Sequence, residues 1–284
     1  MSPAAPPPPL MYEDVVRRAL AEDLGRAGDI TTDATVPADR SGEGALVARA
    51  AGRVAGLDVA LFAFRVLDSA AVIEIRHSDG ADVEAGTVLA RVGAGARALL
   101  TGERTALNFL GHLSGIATAT RDVVRRLDGL PTRVACTRKT TPGLRALEKY
   151  AVRVGGGDSH RHGLDDAVLI KDNHVALAGG ITPAVERARS SVGHMVKVEL
   201  EVDTLAQLDE ALGLDIDVIL LDNMELATLR EAARRARGRV LTEASGGIRP
   251  ENVRAVAETG VDLISLGWLT HSAPSLDVAL DLSS

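Results

Sequence analysis

Residues 197–223 read KVELEVDTLAQLDEALGLDIDVILLDN, and this stretch decides the fold class. Two apolar runs, one within Met195–Leu200 and one at Val218–Leu221, have the composition of buried strands. Between them, Leu205–Leu212 carries apolar residues at helical spacing. A strand, a helix and a second strand in this order predict parallel strands joined by a right-handed crossover.

The same alternation runs through the second half of the chain, from Pro131 onward. Six strands are predicted there: Thr132–Thr137, Ala167–Ile170, Met195–Leu200, Val218–Leu221, Val240–Thr242 and Leu263–Leu266. The helices predicted among them include Pro142–Arg153, Pro183–Arg189, Leu205–Leu212, Glu225–Arg237 and Pro250–Glu258. Six strands are too few for a closed eight-stranded barrel, so we predict an open, incomplete α/β barrel.

The first half has a different pattern, in which short strands and helices are mixed. Helices are predicted at Met11–Leu24 and Leu57–Leu67, and strands at Gly44–Ala50, Val54–Leu57, Ala71–Arg76 and Thr87–Val92. This mixture predicts an α+β domain. The helix-rich stretch Ala96–Leu127 contains Gly111 and Gly115, so we predict two helices joined near Gly111. Residues 1–10 are rich in Pro and Ala and are predicted to be a disordered tail.

The composition excludes several classes of protein. The 284 residues are 46% hydrophobic and 25% charged, as in a folded globular protein. The net charge of −7 and the aromatic content of 2% argue against a nucleic-acid-binding protein. No apolar run approaches the roughly 20 residues that span a bilayer, and the first residues lack the pattern of a secretory signal. Cys136 is the single cysteine, so we expect a reducing, cytoplasmic compartment.

Charged residues and glycines follow the predicted barrel strands, at the ends where barrel enzymes bind their substrates. In strand order they are Arg138-Lys139, Lys171-Asp172-Asn173-His174, Glu199 with Glu201, Asp222-Asn223, Ser245-Gly246-Gly247 and Gly267. Loops are polar in any protein, but here cations come first, carboxylates next and glycine loops last. The glycine loops at the last two strands predict a phosphate site, with plain turns as the alternative.

The segment Arg133–Lys171 concentrates positive charge. It has eight basic and four acidic residues, a net charge of +4 within a chain whose net charge is −7. A locally positive pocket in an acidic protein favours a small polyanionic ligand. Gly155–Gly157 precedes His160 and Arg161 in this segment, but it lacks the Lys-Ser/Thr ending of a P-loop.

Lys197, Glu199 and Glu201 alternate along one strand and therefore share one face. Charges on an inward face need a partner or a ligand. For Glu199 we favour a structural ion pair with Lys197. Glu201 and Asp222, at neighbouring strand ends, have carboxylate oxygens that suit ribose hydroxyls or a Mg²⁺ ion.

A series of short strings, in order along the chain, carries a family resemblance. The strings are Glu103–Asn108, Leu113–Thr118, Thr137–Gly143, Lys149–Val152, Gly155–Gly157 with His160-Arg161, Leu169–His174, Glu199–Asp203, Leu220–Asn223, Ser245–Gly247 and Leu269–Ser272. Through them the sequence closely resembles the nicotinate-nucleotide pyrophosphorylase (carboxylating) family, also called quinolinate phosphoribosyltransferase, over nearly the whole chain after the tail.

The resemblance implies an N-terminal α/β sandwich domain over residues 11–115 and an open barrel over 116–270, with the segment 271–284 returning to the N-terminal domain. It implies a homodimer in which the partner's N-terminal domain closes each site, with neither nucleic acid nor membrane as a partner. It also implies Mg²⁺-dependent transfer of a phosphoribosyl group from phosphoribosyl pyrophosphate to quinolinate. The products are nicotinate mononucleotide, pyrophosphate and CO₂, in the de novo synthesis of NAD.

The resemblance also implies roles for individual residues. Quinolinate would be bound by Thr137, Arg138, His160, Arg161 and Lys171, with Arg104 reaching in from the neighbouring subunit. Lys139 would lie near the pyrophosphate, and Glu201 and Asp222 would hold the ribose hydroxyls and the metal, which makes these three the predicted catalytic residues. The 5′-phosphate would be bound by Ser245, Gly246, Gly247, Leu266, Gly267 and Trp268.

Some residues leave other interpretations open. Cys136 stands where the family has Asp, and Ser159 stands where bacterial members have Asn. Cys136 lies inside a strand, so a buried, inert thiol is favoured over a nucleophile. His160, His162 and His174 admit a zinc site as a minor alternative. Two rival functions are a related phosphoribosyltransferase-like protein associated with molybdenum transport and a catalytically silent binding protein on the same scaffold.

Overall fold

The computed structural model describes residues 5–283, which form two compact units. The first unit contains the described residues up to Arg121 together with 140–156 and 269–283, and the second contains 122–139 and 157–268. The predicted boundaries, at 115/116 and 270/271, do not anticipate that 140–156 belongs to the first unit. Residues 1–4 of the predicted tail lie outside the described residues, and Pro9–Met11 forms a short 3₁₀ helix.

The first unit is built on an antiparallel sheet of four strands. Its strands and those of a separate two-stranded pair are β1 (Ser41–Ala48), β2 (Gly52–Arg53), β3 (Val72–Ile75), β4 (Asp82–Val83), β5 (Val88–Gly95) and β12 (Val278–Ser283). The large sheet has the order β12-β1-β5-β3, and β2 pairs with β4. The last strand of the chain therefore lies beside the first one.

The predicted strand at Val54–Leu57 is wrong, because side chains take up the backbone groups that a strand would pair. The N–H of Ala55 donates to Ser114 Oγ at 3.0 Å, and the N–H of Gly56 donates to an Asp79 carboxylate oxygen at 2.7 Å. Gly56 has a φ of 80°, which favours glycine, and it precedes the helix that was predicted at Leu57–Leu67.

Five helices begin in the first unit: α1 (Glu13–Leu24), α2 (Ile30–Thr35), α3 (Leu57–Leu67), α4 (Ala96–Arg126) and α5 (Arg145–Val154). The prediction of two helices joined near Gly111 is wrong, because α4 is continuous. The two glycines have a packing role instead. A β-carbon at Gly111 would lie 2.9 Å from the carbonyl oxygen of Leu276, and one at Gly115 would collide with the backbone of Pro274. Among residues 5–283, no helix combines the length and the apolar character needed to cross a bilayer.

The second unit is built on a parallel sheet of six strands, the number predicted. They are β6 (Arg133–Ala135), β7 (Val168–Ile170), β8 (Val198–Val202), β9 (Val218–Asp222), β10 (Leu241–Ser245) and β11 (Leu263–Ser265). Their order is β6-β11-β10-β9-β8-β7, so β6 and β7 are the two edges and no ladder joins them within the described chain. The predicted class, an α+β domain followed by an open α/β barrel, is confirmed.

The remaining helices follow the barrel strands in sequence. They are α6 (Asp172–Ala178), α7 (Ile181–Ser191), α8 (Leu205–Ala211), α9 (Leu226–Ala236), α10 (Val253–Ala257) and α11 (Trp268–His271). Thr204 caps α8 by accepting a hydrogen bond from the N–H of Gln207. The helix predicted from Pro250 begins later, at Val253.

The two faces of the parallel sheet have opposite character. The outward face is apolar and fully buried, as in Val198, Leu200 and Val202 of β8, against which α7 and α8 pack. The alternate residues point into the barrel, and on β8 these are Glu199 and Glu201. The hydrophobic effect therefore stabilises the sheet from its outward face, while charged groups share the interior with apolar residues such as Leu220 and Leu263.

Candidate active site

A cavity of about 550 Å³ opens at the carboxyl ends of the barrel strands, and we call it the mouth cavity. Its lining residues are Thr137, Arg138, Lys139, His160, Arg161, Leu169, Lys171, Glu201, Leu220, Asp222, Asn223, Glu243, Ser245, Gly246, Gly247 and Ser265. Eleven of the fifteen sequence-predicted site residues are in this set. Residues from the ends of all six strands, far apart in the sequence, thus meet at one place.

Two arginines form the cationic wall of the mouth cavity. Arg161 donates from Nη1 to the carbonyl of Ala167 at 3.0 Å, while its Nε is buried and has no hydrogen-bond partner within residues 5–283. Burial lowers the pKa of Arg161, and the neighbouring charge of Arg138 lowers it further. A buried donor without an acceptor, next to a second guanidinium, is suited to binding an anion.

His160 lies below this wall, between two buried carboxylates. Its Nε2 is 2.9 Å from Glu199 Oε2 and 3.8 Å from Glu243 Oε1. The predicted ion pair between Glu199 and Lys197 is therefore wrong. Lys197 instead bonds to Asp217 at 2.5 Å, because its long side chain extends to the surface while Glu199 points into the barrel.

Two further carboxylates line the mouth cavity from neighbouring strands. Glu201 on β8 is ion-paired with Lys171, and Asp222 on β9 accepts a hydrogen bond from Asn223 Nδ2 at 2.6 Å. In the sheet register Glu201 pairs with Leu220, so Asp222 lies two residues further along the same face. Both groups offer hard oxygen donors toward open space, which is the donor set that Mg²⁺ takes together with water and phosphate.

The glycine turn after β10 has the geometry that only glycine adopts readily. Gly246 and Gly247 have φ values of 90° and 61°. A β-carbon on Gly246 would collide with Asn223, whose N–H donates to the carbonyl of Ser245 at 2.9 Å. A β-carbon on Gly247 would meet nothing within 4 Å, so this turn presents open backbone to the cavity.

The other predicted phosphate residues do not line the mouth cavity. The N–H of Leu266 donates to the carbonyl of Ala135 at 3.0 Å, and its side chain is buried. Gly267 and Trp268 follow at the start of α11. Ser265 lines the cavity in their place. Arg104, the remaining predicted residue, lies on α4 in the first unit, beside a separate cavity of about 390 Å³.

Glu243, Asn223 and Ser265 also line the cavity but had no predicted binding role, although Asn223 was among the predicted strand-end residues. The alternation along β10 could have found Glu243, because it is two residues before Ser245 and shares its face. Cys136 is fully buried, as predicted. The alternative of a zinc site involved His160, His162 and His174. His174 Nδ1 accepts a hydrogen bond from the N–H of Lys171 at 2.9 Å, and His162 Nδ1 is 3.9 Å from Asp166. Within residues 5–283, the one three-residue group close enough to hold a metal ion is His160, Glu199 and Glu243.

An open α/β barrel with this mouth defines a class of protein, the enzymes that bring small and strongly anionic substrates together. The family model described as quinolinate phosphoribosyl transferase, C-terminal domain, matches residues 116–281, and the model of the N-terminal domain matches residues 29–114. The chain belongs to the quinolinate phosphoribosyl transferase family.

Relatives and solved structures agree with this assignment. The chain is 48% identical over 277 residues to the nicotinate-nucleotide pyrophosphorylase (carboxylating) of Mycobacterium leprae, covering 95% of this chain and 96% of that protein. The crystal structure of NadC from Streptococcus pyogenes superposes with a TM-score of 0.94 at 39% identity, covering 98% and 99% of the two chains. The nicotinate-nucleotide pyrophosphorylase of Francisella tularensis gives a TM-score of 0.94 at 37% identity and full coverage of both chains. The predicted family and the predicted enzyme class, a phosphoribosyltransferase, are confirmed.

Proposed function

We propose that the mouth cavity is the place where this chain transfers a phosphoribosyl group from phosphoribosyl pyrophosphate to quinolinate. The reaction loses CO₂ and gives nicotinate mononucleotide and pyrophosphate, a step of NAD biosynthesis. One observation carries the assignment of the site. Arg161, whose buried Nε has no acceptor within residues 5–283, and Arg138 line a cavity that also holds a glycine turn and two carboxylates.

Quinolinate is a dianion, and its site must supply fixed positive charge. Arg138 and Arg161 would bind its carboxylates, since the planar guanidinium donates parallel hydrogen bonds that an ammonium group cannot. Thr137 and Lys171 line the same cavity. Partial burial strengthens these bonds because less water competes for the charges.

Phosphoribosyl pyrophosphate would occupy the opposite side of the cavity. Glu201 and Asp222 would accept hydrogen bonds from the ribose hydroxyls, and Lys139 would lie beside the pyrophosphate. The turn Ser245–Gly247 would take the 5′-phosphate on its backbone N–H groups, because its backbone is open to the cavity. Gly267 and Trp268, which do not line the cavity, stay candidates for the same phosphate.

The carboxylates Glu201 and Asp222 would also hold the Mg²⁺ ion that the family resemblance implies. Their oxygens and the open space in front of them fit this ion. When bound, Mg²⁺ neutralises charge on the pyrophosphate leaving group.

The chemistry needs no protein nucleophile. As the bond from ribose C1 to pyrophosphate breaks, positive charge develops at C1, and the carboxylates Glu201 and Asp222 stabilise it. Lys139 stabilises the departing pyrophosphate. The ring nitrogen of quinolinate bonds to C1 and becomes positive, so it can accept the electron pair of the adjacent carbon–carboxylate bond. CO₂ leaves, and a proton takes its place on the ring carbon.

The direct test is incubation of the purified chain with quinolinate, phosphoribosyl pyrophosphate and Mg²⁺. We expect equimolar nicotinate mononucleotide and CO₂, detected by chromatography and by release of label from carboxyl-labelled quinolinate. Nicotinate in place of quinolinate should give at least about 10²-fold less product, because one arginine would then face no carboxylate. Equal rates with both acids would contradict the proposed roles of Arg138 and Arg161.

We also propose a homodimer in a cytoplasmic setting, with Arg104 completing the partner's site. Subunit mixing tests this arrangement. Arg104→Ala and Arg138→Ala homodimers should each be inactive. Verified mixed dimers should regain up to half of the activity of the parent dimer, because one of their two sites has both arginines. Mixed dimers as inactive as their parents would argue against a shared site.

A further inference from the structure

We infer that Glu199 is a positioning residue, which acts through His160 to fix Arg161 in the cationic wall of the mouth cavity. The inference rests on the proposed function, in which Arg161 binds a carboxylate of quinolinate. It concerns three residues from two parts of the second unit, the strand β8 and the loop before β7.

The hydrogen bonds of His160 fix its tautomer. The backbone N–H of Arg161 lies 2.8 Å from His160 Nδ1, and an amide N–H can only donate, so Nδ1 carries the lone pair. The proton of the neutral ring is then on Nε2, which donates to Glu199 Oε2 at 2.9 Å. Both ring nitrogens are engaged inside the protein, so His160 links the carboxylate of Glu199 to the backbone of Arg161.

The Glu199–His160 bond lies where such a bond is strong. The side chains of Glu199 and His160 are 9% and 14% exposed, and Glu199 comes from the middle of a sheet rather than from a loop. A hydrogen bond to a carboxylate in this setting is charge-assisted and little weakened by water. The charge of Glu199 also opposes the fall in the pKa of Arg161 that burial and Arg138 cause.

Arg161 is consequently held at two points on the protein. Its N–H is held by His160, and its Nη1 is held by the carbonyl of Ala167. Nε is buried and has no partner within residues 5–283, and Arg161 lines the mouth cavity. Without Glu199 the imidazole can turn about its side-chain bonds, and the first of these points is lost.

The same three donors, His160, Glu199 and Glu243, also lie within 4.8 Å of one another, close enough to hold a metal ion. A metal ion needs the lone pair of His160 Nε2, and in this geometry that nitrogen carries the proton. The tautomer therefore favours a positioning role over a metal site.

The test compares Glu199→Leu with Glu199→Gln, whose amide oxygen still accepts the Nε2 proton. Glu199→Leu should raise both the KM and the Kd of quinolinate on the order of 10–100-fold, whereas Glu199→Gln should stay within about five-fold of the parent. The Kd of phosphoribosyl pyrophosphate should not change in either variant, because its proposed ligands do not contact Glu199. The matched control is Asp217, the residue before β9, whose carboxylate bonds to Lys197. Asp217→Asn should leave both Kd values unchanged.

A double-mutant cycle covers the case in which Glu199→Leu fails to fold. His160→Asn keeps an acceptor for the Arg161 N–H but cannot reach Glu199. Glu199→Ala, which removes the acceptor without adding a bulky apolar group, should weaken quinolinate binding in the parent but have no further effect in the His160→Asn background, so the two changes should not add. ¹⁵N NMR of His160 should show the Nε2–H tautomer.

The inference would be overturned by an unchanged Kd of quinolinate in folded Glu199→Leu or by additive effects in the double-mutant cycle. It would also be overturned by a His160 ring that carries its proton on Nδ1 or binds a metal ion. Failure of the proposed function is a different result, because the parent chain would then form no nicotinate mononucleotide.

Discussion

The barrel interior has two ends, and similar side chains line both of them with different partners. The base cavity, about 470 Å³ at the amino ends of the strands, is lined by Arg133, Ala135, Asp158, Ser159, His160, Arg161, His162, Asp166, Ala167, Val168, Lys197, Glu199, Val218, Glu243 and Leu263. There Arg133 is bonded to Asp158 at 2.8 Å and Lys197 to Asp217 at 2.5 Å. Arg161 lines both cavities, and its buried Nε has no acceptor within residues 5–283. At the mouth, Lys171 is paired with Glu201, which is itself a proposed ligand group.

The difference teaches how to tell a binding cation from a structural one. When a charged residue is paired with a partner that has no proposed role in binding, the pair contributes to folding and the residue has no charge available for a ligand. A residue whose donor is buried and unmatched costs stability, and the protein recovers that cost only when an anion binds. The kind of residue is the same at both ends, so its partner decides its role.

The largest expected effect comes from replacing Arg161 with Ala, with the replacement of an arginine at the base cavity as its control. Arg161→Ala should lower kcat/KM for quinolinate by on the order of 10²–10³-fold, because a buried carboxylate of the acid would lose its partner. Steady-state kinetics at saturating phosphoribosyl pyrophosphate would measure it.

Arg133→Ala is the control at the base. Its side chain is 58% exposed, so losing the pair with Asp158 should change the free energy of unfolding by less than about 1 kcal/mol and leave kcat/KM unchanged. Near-normal activity of Arg161→Ala, or an equal loss in both variants, would remove the distinction between the two ends.

A smaller effect is expected on the pH dependence of the free energy of unfolding, through Asp217, the partner of Lys197 in the base cavity. Burial would raise the pKa of Asp217, but hydrogen bonds from Lys197, from the Val198 N–H and from Arg189 together lower it to about 2. Because the folded pKa lies below the unfolded value near 3.8, this carboxylate stabilises the fold fully above about pH 5. The contribution is lost as the pH falls toward 2.

Asp217→Asn should therefore lower the free energy of unfolding by roughly 2 kcal/mol at pH 7, and the difference from the parent should shrink between pH 5 and pH 2. Urea denaturation over this pH range is the measurement. Lys197→Met, which removes a partner with a 74% exposed side chain, should have a smaller effect. A constant difference at all pH values would mean that the hydrogen bonds and not the charge of Asp217 stabilise the fold.

The barrel and most of its mouth could be predicted from the sequence because both follow from local patterns. Alternating strands and helices predict a parallel sheet, and the carboxyl ends of its strands must meet at one edge. Lys139, Glu201 and Asp222 could be placed in this way. Alternation along β8 also showed that Glu199 faces inward.

Contacts across the barrel could not be predicted, because periodicity gives the face of a residue and not its partner. His160 comes from a loop whose path no repeat determines, so its bond to Glu199 is visible only in the structure. The glycines of α4 misled for the same reason. Their composition suggested a break, but they are small because Pro274 and Leu276, distant in sequence, pass close by.

The pairing of β12 with β1 has a consequence for how the chain matures. A ribosome makes β1 before β12, and all six barrel strands are synthesised in between. Until then one side of β1 exposes unpaired backbone groups, which are a template for pairing with other chains. The sheet of the first unit is thus completed only after the strands of the barrel have been made.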